Sequence, residues 1–157
     1  MAMTATSSMT AQARNVSQTS TAIEAPNFVL KDIDGRNFKL SDFKGRPILL
    51  IFSTTWCGYC RSEIPHFKNI YSTYKAKGLE VVNIDINESK EKVARFAERY
   101  NLPYRVVIDT DGTVAENYYV RGVPSMALVD EEGMIVCLYC RPVEPHLERL
   151  FRNKITK

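Results

Sequence analysis

Long hydrophobic runs are missing from this 157-residue sequence. A membrane-spanning helix needs roughly 18 or more consecutive apolar residues, and the longest apolar segment, PILLIF at 47–52, has only the length of a buried strand. Long basic runs are missing as well, because no run of Lys or Arg exceeds two residues and the net charge is only +3. We therefore predict neither a membrane-spanning helix nor a nucleic-acid partner.

The first 25 residues lack the apolar core that a signal peptide requires. They are rich in Thr, Ser, Ala and Gln, which predicts a disordered leader or linker over 1–25 and one folded domain over 26–157. The whole chain is 45% hydrophobic and 25% charged, as is usual for a globular protein. A domain of this length buries enough apolar surface to fold without disulfides.

Patterns typical of strands and helices alternate after residue 26. Asp34-Gly35 lies between two alternating segments and predicts a hairpin over 27–40. The apolar run after Pro47 predicts a strand that is buried on both faces. The further predicted elements are a helix over 58–77, a strand over 79–86, a helix over 90–100, a strand over 104–109, a short helix within 112–120, a hairpin over 123–140 and a closing helix over 144–155. This order predicts an α/β fold with a central mixed sheet flanked by helices.

Four cysteines form two pairs of the same spacing, and the first pair is Cys57 and Cys60. Cys57 follows the predicted buried strand and opens the next helix. The free N–H groups and the dipole at a helix N-terminus stabilise a thiolate, so Cys57 is the predicted nucleophile. Cys60, which is more shielded, would then resolve a mixed disulfide. A structural bridge is the alternative, although closing so short a loop removes little entropy from the unfolded chain.

The second pair, Cys137 and Cys140, falls on a predicted edge strand. A zinc site shared by both pairs is not expected, because the pairs are far apart in the sequence. In an extended strand the Cα atoms of Cys137 and Cys140 would be about 10 Å apart, with side chains on opposite faces. We therefore predict that they do not bridge each other unless the strand ends or bulges between them. His66 and His146 are predicted to be surface residues.

The first cysteine pair belongs to a larger pattern. Trp-Cys-Gly-Tyr-Cys at 56–60, Pro65 in the following helix and Gly-Val-Pro at 122–124 together resemble the thioredoxin superfamily. The resemblance covers about residues 26–155. It implies a thioredoxin-like fold.

The same resemblance implies where a substrate binds. Pro124 is expected to follow a cis peptide bond and to lie against the cysteine pair. The backbone of Val123 is expected to pair with an extended substrate segment, in the manner of strand addition. Trp56 and Tyr59 are the expected side-chain contacts to that substrate.

Within the superfamily the chain resembles the TlpA/ResA-like thiol-disulfide proteins. The opening hairpin at 27–40, the central insertion at 88–112 and Glu63 in CRSEIP are similar to features of that family. Thioredoxins have a buried Asp six residues before the first cysteine, whereas Ile51 occupies that position here. Glu63 is therefore predicted to exchange protons with the thiols, and Asp85 is the second candidate for this role.

This resemblance implies a thiol-disulfide oxidoreductase that reduces protein disulfides through the Cys57–Cys60 dithiol and a mixed disulfide, with no metal and no other cofactor. It implies a disulfide-bearing protein substrate, with apocytochrome c as one candidate, and a DsbD/CcdA-like thiol donor. A periplasmic or extracytoplasmic location is expected, with the signal or anchor outside this chain, while a cytoplasmic location stays open. We expect a monomer.

Three other functions share parts of this pattern. Gly58-Tyr59 is similar to the dipeptide of DsbC-type isomerases, so an isomerase or oxidant stays open. A peroxiredoxin-type thiol peroxidase shares the fold, but Leu50 stands where that pattern requires proline. A copper carrier of the Sco type is disfavoured, because it needs a wider spacing between its two cysteines.

Overall fold

The computed structural model describes residues 21–154 of the chain. Its strands are β1 (Val29–Asp32), β2 (Asn37–Lys39), β3 (Ile48–Ser53), β4 (Glu80–Ile86), β5 (Arg105–Asp109), β6 (Ser125–Val129) and β7 (Ile135–Leu138). Its helices are α1 (Gly58–Tyr74), α2 (Lys90–Arg99), α3 (Thr113–Asn117) and α4 (Glu144–Arg152). None of the helices within 21–154 has both the length and the apolar composition needed to cross a membrane.

One seven-stranded sheet in the order β2-β1-β5-β4-β3-β6-β7 forms the centre of the domain. The strands β3, β4 and β5 are parallel to one another. β6 pairs antiparallel with β3, and the N-terminal β1–β2 hairpin pairs antiparallel with β5. The predicted mixed sheet with an N-terminal hairpin is confirmed, and the central insertion forms α2 and β5.

The central strand β3 is buried along its whole length. Leu50 and Phe52 pack into the core cluster that includes Tyr118, which follows α3. Leu49 and Ile51 pack on the opposite face, in the core cluster formed with α1 and α4. A strand covered on both faces requires a continuous apolar sequence, which is why the run at 47–52 predicted it.

The ends of the helices agree with the cap residues in the sequence. α1 continues into a 3-10 turn at Lys75–Lys77, and Gly78 follows with φ 98°, a left-handed conformation that glycine adopts readily. Ser89 precedes α2, and its side chain accepts a hydrogen bond from the N–H of Lys92 at 3.3 Å. The end of α1 and the start of α2 could be predicted from the local sequence, because each depends on a single cap residue.

The predicted leader, 1–25, lies mostly outside the described residues. Its last residues contact the β6–β7 hairpin, where the N–H of Ala25 donates to the Gly133 carbonyl at 2.9 Å. The N–H of Ile135 donates to the Ile23 carbonyl at 2.8 Å. Ala25 is buried, so residues 23–25 pack on the domain next to its last hairpin.

The prediction for Cys137 and Cys140 excluded a bridge unless the strand ended or bulged between them, and the structure meets that exception. The two residues form a disulfide with their Cα atoms 5.7 Å apart. β7 ends at Leu138, and Tyr139 then turns the chain with φ 55°. The predicted separation of about 10 Å assumed an extended strand through Tyr139. The strand instead ends between the two cysteines, so their Cα atoms lie close enough for a bridge.

Ile70 tests how much the contact between α1 and the sheet stabilises the fold. Its side chain is 2% exposed, and Ile70→Ala should lower the free energy of unfolding by about 2–5 kcal/mol because it leaves a cavity. Ile23→Ala makes the same chemical change at a side chain that is 64% exposed, and it should change that free energy by less than about 0.5 kcal/mol. Urea unfolding followed by circular dichroism measures both variants. Equal losses would contradict the described core.

Candidate active site

The turn between β3 and α1 places Cys57 at the start of the helix. Cys57 is the N-cap residue of α1, and its Sγ accepts a hydrogen bond from the N–H of Cys60 at 3.0 Å. The N–H of Cys57 lies 3.4 Å from the carbonyl oxygen of Thr54. The predicted position of Cys57 at the helix N-terminus is confirmed, and a thiolate formed there would be stabilised by the same N–H group.

The two cysteines of this turn form a disulfide, with Cα atoms 5.2 Å apart. Both are buried, and Cys57, at 7% exposed, is slightly more accessible than Cys60, at 4%. The Sγ atom of Cys57 lies 3.7 Å from the carbonyl oxygen of Val123. The structure therefore brings the cysteine pair into contact with the loop that precedes β6.

The loop before β6 contains a cis peptide bond between Val123 and Pro124, as the thioredoxin resemblance implies. β6 begins directly after it, and Ser125 pairs with Phe52 at the end of β3. The antiparallel register thus brings the start of β6 and the end of β3 to the same edge of the sheet. Both Val123 and Pro124 are half-buried, which leaves part of this backbone open to solvent.

Two aromatic side chains next to the cysteines in the sequence are exposed to solvent. Trp56 is 67% exposed and Tyr59 is 53% exposed, although large aromatic residues are usually much more buried. The guanidinium of Arg141 lies 4.6 Å from the centre of the Tyr59 ring, a cation–π distance. The predicted contact of Trp56 and Tyr59 with a substrate stays a prediction.

Glu63 lies on α1 one turn beyond Cys60, with its side chain 22% exposed. Its carboxylate pairs with the guanidinium of Arg141 at 3.2 Å and with Nδ1 of His66 at 3.3 Å. Among the described residues the side chains that pair with its carboxylate are these two basic groups rather than a sulfur atom. Its proton-exchange role stays a prediction, and Arg141 is a neighbour that sequence reasoning missed.

His66, predicted to be a surface residue, is partly exposed. Its side chain is only 35% exposed and lies between two carboxylates, because Nε2 contacts Glu144 on α4 and Nδ1 contacts Glu63. The hydrogen bond to Glu144 is the largest cause of a raised pKa for His66, and partial burial opposes it. His66 therefore links α1 to α4 beside the candidate site.

The sequence profile of the AhpC/TSA family matches residues 22–138. The chain belongs to the AhpC/TSA family. Thiol-disulfide oxidoreductase ResA from Bacillus thuringiensis subsp. konkukian is 38% identical over 113 residues, which are 72% of this chain and 65% of that protein. ResA from Geobacillus kaustophilus is 35% identical over 131 residues, which are 80% of this chain and 75% of that protein. The match to the Bacillus protein thus spans less than two thirds of its length.

The fold of this AhpC/TSA family protein is similar to that of a solved thioredoxin domain. The thioredoxin domain of a thiol-disulfide oxidoreductase from Bacteroides vulgatus superposes with a TM-score of 0.72 at 28% identity. The superposition covers 80% of this chain and 94% of that chain. The predicted thioredoxin-like fold and the ResA-like resemblance are both confirmed.

The active-site turn of this family member is held by a buried acid that sequence reasoning missed. The N–H and the hydroxyl of Thr55 donate to the carboxylate of Glu88 at 2.8 and 2.6 Å. The Thr55 carbonyl accepts from Arg61 at 3.1 Å, and Lys92 pairs with Glu88 at 2.8 Å. Burial opposes ionisation of Glu88, but hydrogen bonds, among them one from Asp85, outweigh it and lower its pKa to about 2.

Asp85, the second candidate for proton exchange, lies behind this turn. It pairs with Ser53 in the β3–β4 register and is 1% exposed. Burial, together with the hydrogen bond and negative charge of Glu88, raises the pKa of Asp85 to about 9. Asp85 therefore holds a proton at neutral pH. Glu88 gave no sequence signal of its own, because an acid just before a helix cap usually lies in solvent.

A metal site was not predicted from the sequence. Across residues 21–154 the structure has no group of three or more His, Cys, Asp or Glu side chains arranged to hold a metal ion.

Asp85→Asn tests the protonated acid behind the turn. The folded pKa of about 9 lies above the ordinary 3.8, so the wild type loses stability as the pH rises between these values. The asparagine amide donates a hydrogen bond to Glu88 without taking up a proton, so the variant should be more stable at pH 7 by at least about 1 kcal/mol. This advantage should grow from pH 4 to pH 8 in urea unfolding.

The control for this comparison is Asp42→Asn, because the side chain of Asp42 is exposed. It should show no growing advantage over the same pH range. An Asp85→Asn variant that is less stable than the wild type at pH 7 would contradict a proton held on Asp85.

Proposed function

We propose that this protein is a thiol-disulfide oxidoreductase that reduces disulfides in protein substrates. The observation that supports this most strongly is the Cys57–Cys60 disulfide at the start of α1, with Cys57 in contact with the Val123 carbonyl beside cis-Pro124. This contact supports Cys57 as the nucleophile and Cys60 as the resolving thiol, next to backbone that is partly open to solvent. The ResA relatives, named thiol-disulfide oxidoreductases, support the same reaction.

The reaction starts from the reduced pair. The Cys57 thiolate attacks one sulfur of the substrate disulfide, the substrate S–S bond breaks, and its other sulfur leaves as a thiolate that takes up a proton. Cys60 then loses its proton and attacks Sγ of Cys57, which forms the Cys57–Cys60 disulfide and releases the second substrate thiol. Counted from the dithiol, in which Cys57 gives up its proton before it attacks, this domain loses two electrons and two protons, and the substrate gains two of each.

Substrate binding is proposed along the loop before β6. An extended substrate segment would pair with the backbone of Val123, which places its disulfide over Cys57. Pro124 has no N–H of its own, so it cannot compete for the carbonyl groups of that segment. Trp56 and Tyr59 would cover the segment from the other side, since their rings are exposed next to the cysteines.

The TlpA/ResA resemblance favours a wider setting for this reaction. A separate thiol donor of the DsbD/CcdA kind would return the Cys57–Cys60 disulfide to the dithiol form. The location would be periplasmic or extracytoplasmic, and apocytochrome c cysteines are one candidate substrate. We propose that the protein acts as a monomer with no metal and no cofactor beyond its redox-active disulfide.

Trapping variants test which cysteine attacks. Cys60→Ser should accumulate a mixed disulfide between Cys57 and a disulfide-bearing peptide, because nothing resolves it. Cys57→Ser should accumulate none, and its disulfide reduction should fall to the rate of buffer alone. Mass spectrometry without reductant measures both products. Substrate reduction by Cys57→Ser at the wild-type rate would refute the assignment.

The direction of electron flow is tested by equilibrating the Cys57–Cys60 couple with glutathione. A reduction potential near the thioredoxin value of about −270 mV is expected for a reductase. A value near about −120 mV, as in DsbA, would overturn this direction in favour of an oxidant or isomerase. Peroxide consumption by the reduced protein would point instead to a thiol peroxidase.

Glu63→Gln tests the proton-exchange role. Removal of this negative charge leaves Arg141 without its carboxylate partner, while His66 keeps Glu144, so the Cys57 thiolate should form at lower pH, by up to about one unit. The reduction rate should nevertheless fall, because the group that exchanges protons with the thiols is gone. Thiolate absorbance against pH and stopped-flow reduction measure the two effects.

Glu98→Gln is the matched control, since its side chain is exposed on α2. It should leave both the thiolate titration and the rate unchanged. If Glu63→Gln behaves in the same way as this control, Glu63 has no part in the mechanism.

A further inference from the structure

The second disulfide, Cys137–Cys140, lies next to the candidate active site although it is remote in sequence. The N–H of Cys140 lies 3.4 Å from the carbonyl oxygen of Met126, the second residue of β6. A shallow hollow in the surface is lined by Gly122, Pro124, Met126, Tyr139, Cys140 and Arg141. The turn closed by this disulfide and the cis-proline loop therefore border the same hollow.

Arg141 connects this turn directly to the first cysteine pair. It follows Cys140 in the chain, and its guanidinium contacts both the ring of Tyr59, at 4.6 Å, and the carboxylate of Glu63, at 3.2 Å. Tyr59 lies between the two cysteines of the first pair, and Glu63 lies one turn beyond them. A change in the backbone at Cys140 would therefore move a positive charge beside the active-site helix.

The disulfide is poorly suited to stabilising the fold. It closes a loop with only two residues between its cysteines, so it removes little entropy from the unfolded chain. Within that loop Tyr139 has φ 55°, which is unfavourable for a residue with a bulky side chain. Breaking the bridge would allow Tyr139 to relax, and disulfides in strained surroundings are the more easily reduced ones.

The two cysteines of the second disulfide differ in their exposure to solvent. Cys140 is 3% exposed and packs in the core with α1 and α4, whereas Cys137 lies half-buried on β7, the last strand of the sheet. An incoming thiolate would attack Cys137, and Cys140 would leave as the thiolate. The core position of Cys140 would then keep the released sulfur close to its partner, so that the bridge can form again.

We propose that Cys137–Cys140 is a second redox-active disulfide, whose state sets the position of Arg141 against Tyr59 and Glu63. A dithiol reductant breaks the bridge by thiol-disulfide exchange. The bridge takes up two electrons and two protons, and the reductant becomes a disulfide. The redox activity of Cys137–Cys140 does not depend on the proposed function, whereas its effect on Cys57–Cys60 rests on that function.

The first arm of the test uses the full chain with Cys57→Ser and Cys60→Ser, so that only the second pair remains. The variant is equilibrated with graded ratios of reduced to oxidised glutathione, quenched in acid, alkylated and analysed by mass spectrometry. We expect the pair to pass from bridged to doubly alkylated while circular dichroism shows a folded domain. A bridge that stays closed at every ratio until denaturant is added would overturn the proposal.

The second arm measures the coupling between the two pairs. Cys137→Ala with Cys140→Ala should shift the glutathione equilibrium of Cys57–Cys60 toward the disulfide, about fivefold or more, because the positive charge of Arg141 is displaced from Tyr59 and Glu63 on the helix that carries the thiols. Arg141→Ala should shift it in the same direction. Arg95→Ala, at an exposed arginine of α2, should leave it unchanged.

The remaining outcomes distinguish a failure of the coupling between the two disulfides from a failure of the proposed function. A shift with Arg141→Ala but none with the double alanine variant would refute the coupling. If the variant with both alanines does not fold, the same glutathione equilibrium is measured with Cys137→Ser, which keeps the buried Cys140. A second pair that titrates while Cys57 reduces no substrate would overturn the proposed function and leave the second redox site standing.

Discussion

The antiparallel pairing of β6 with β3 is the constraint on which the candidate site depends. Phe52 pairs with Ser125, so the end of one strand lies beside the start of the other. Cys57 follows β3 and Val123 precedes β6, which brings residues 66 apart in the sequence to within 3.7 Å. Every residue of both strands is buried, and a shift of one residue would turn their side chains to the wrong faces. The register is therefore strongly determined.

Two groups of charged side chains hold the first turns of α1 in place. On one side, Glu88 accepts two hydrogen bonds from Thr55, so the start of α2 is tied to the turn before Cys57. On the other side, Glu63 pairs with Arg141, which comes from the segment between β7 and α4. Because Glu88 is almost fully buried, its bonds exchange little with water and should keep the turn rigid.

His66 extends the second group toward the C-terminal helix. It lies between Glu63 on α1 and Glu144 at the start of α4, so the active-site helix and α4 share one network of charges. Cys140 and Phe67 pack in the same core cluster beneath this network. The segment around residue 140, which includes the second disulfide, is thereby connected to the helix that begins at the first cysteine pair.

Much of the fold could be predicted because its signals are local. The apolar run of β3, the Asp34-Gly35 turn and the Ser89 cap each depend on a few neighbouring residues. The position of Cys57 at a helix start follows from the order of strand and helix alone. The conformation of Tyr139 had no such signal, because a positive φ is usually marked by glycine or asparagine.

The sequence by itself thus determined the order of elements, the buried central strand and the place of the first cysteine pair, since side-chain periodicity and helix caps act over a few residues. Only the tertiary structure decided which groups surround that pair. Arg141 meets Glu63, and Glu88 meets Thr55, because strands and helices distant in the chain pack side by side. The sequence does not encode such partners locally, and they exist only once the sheet has its register.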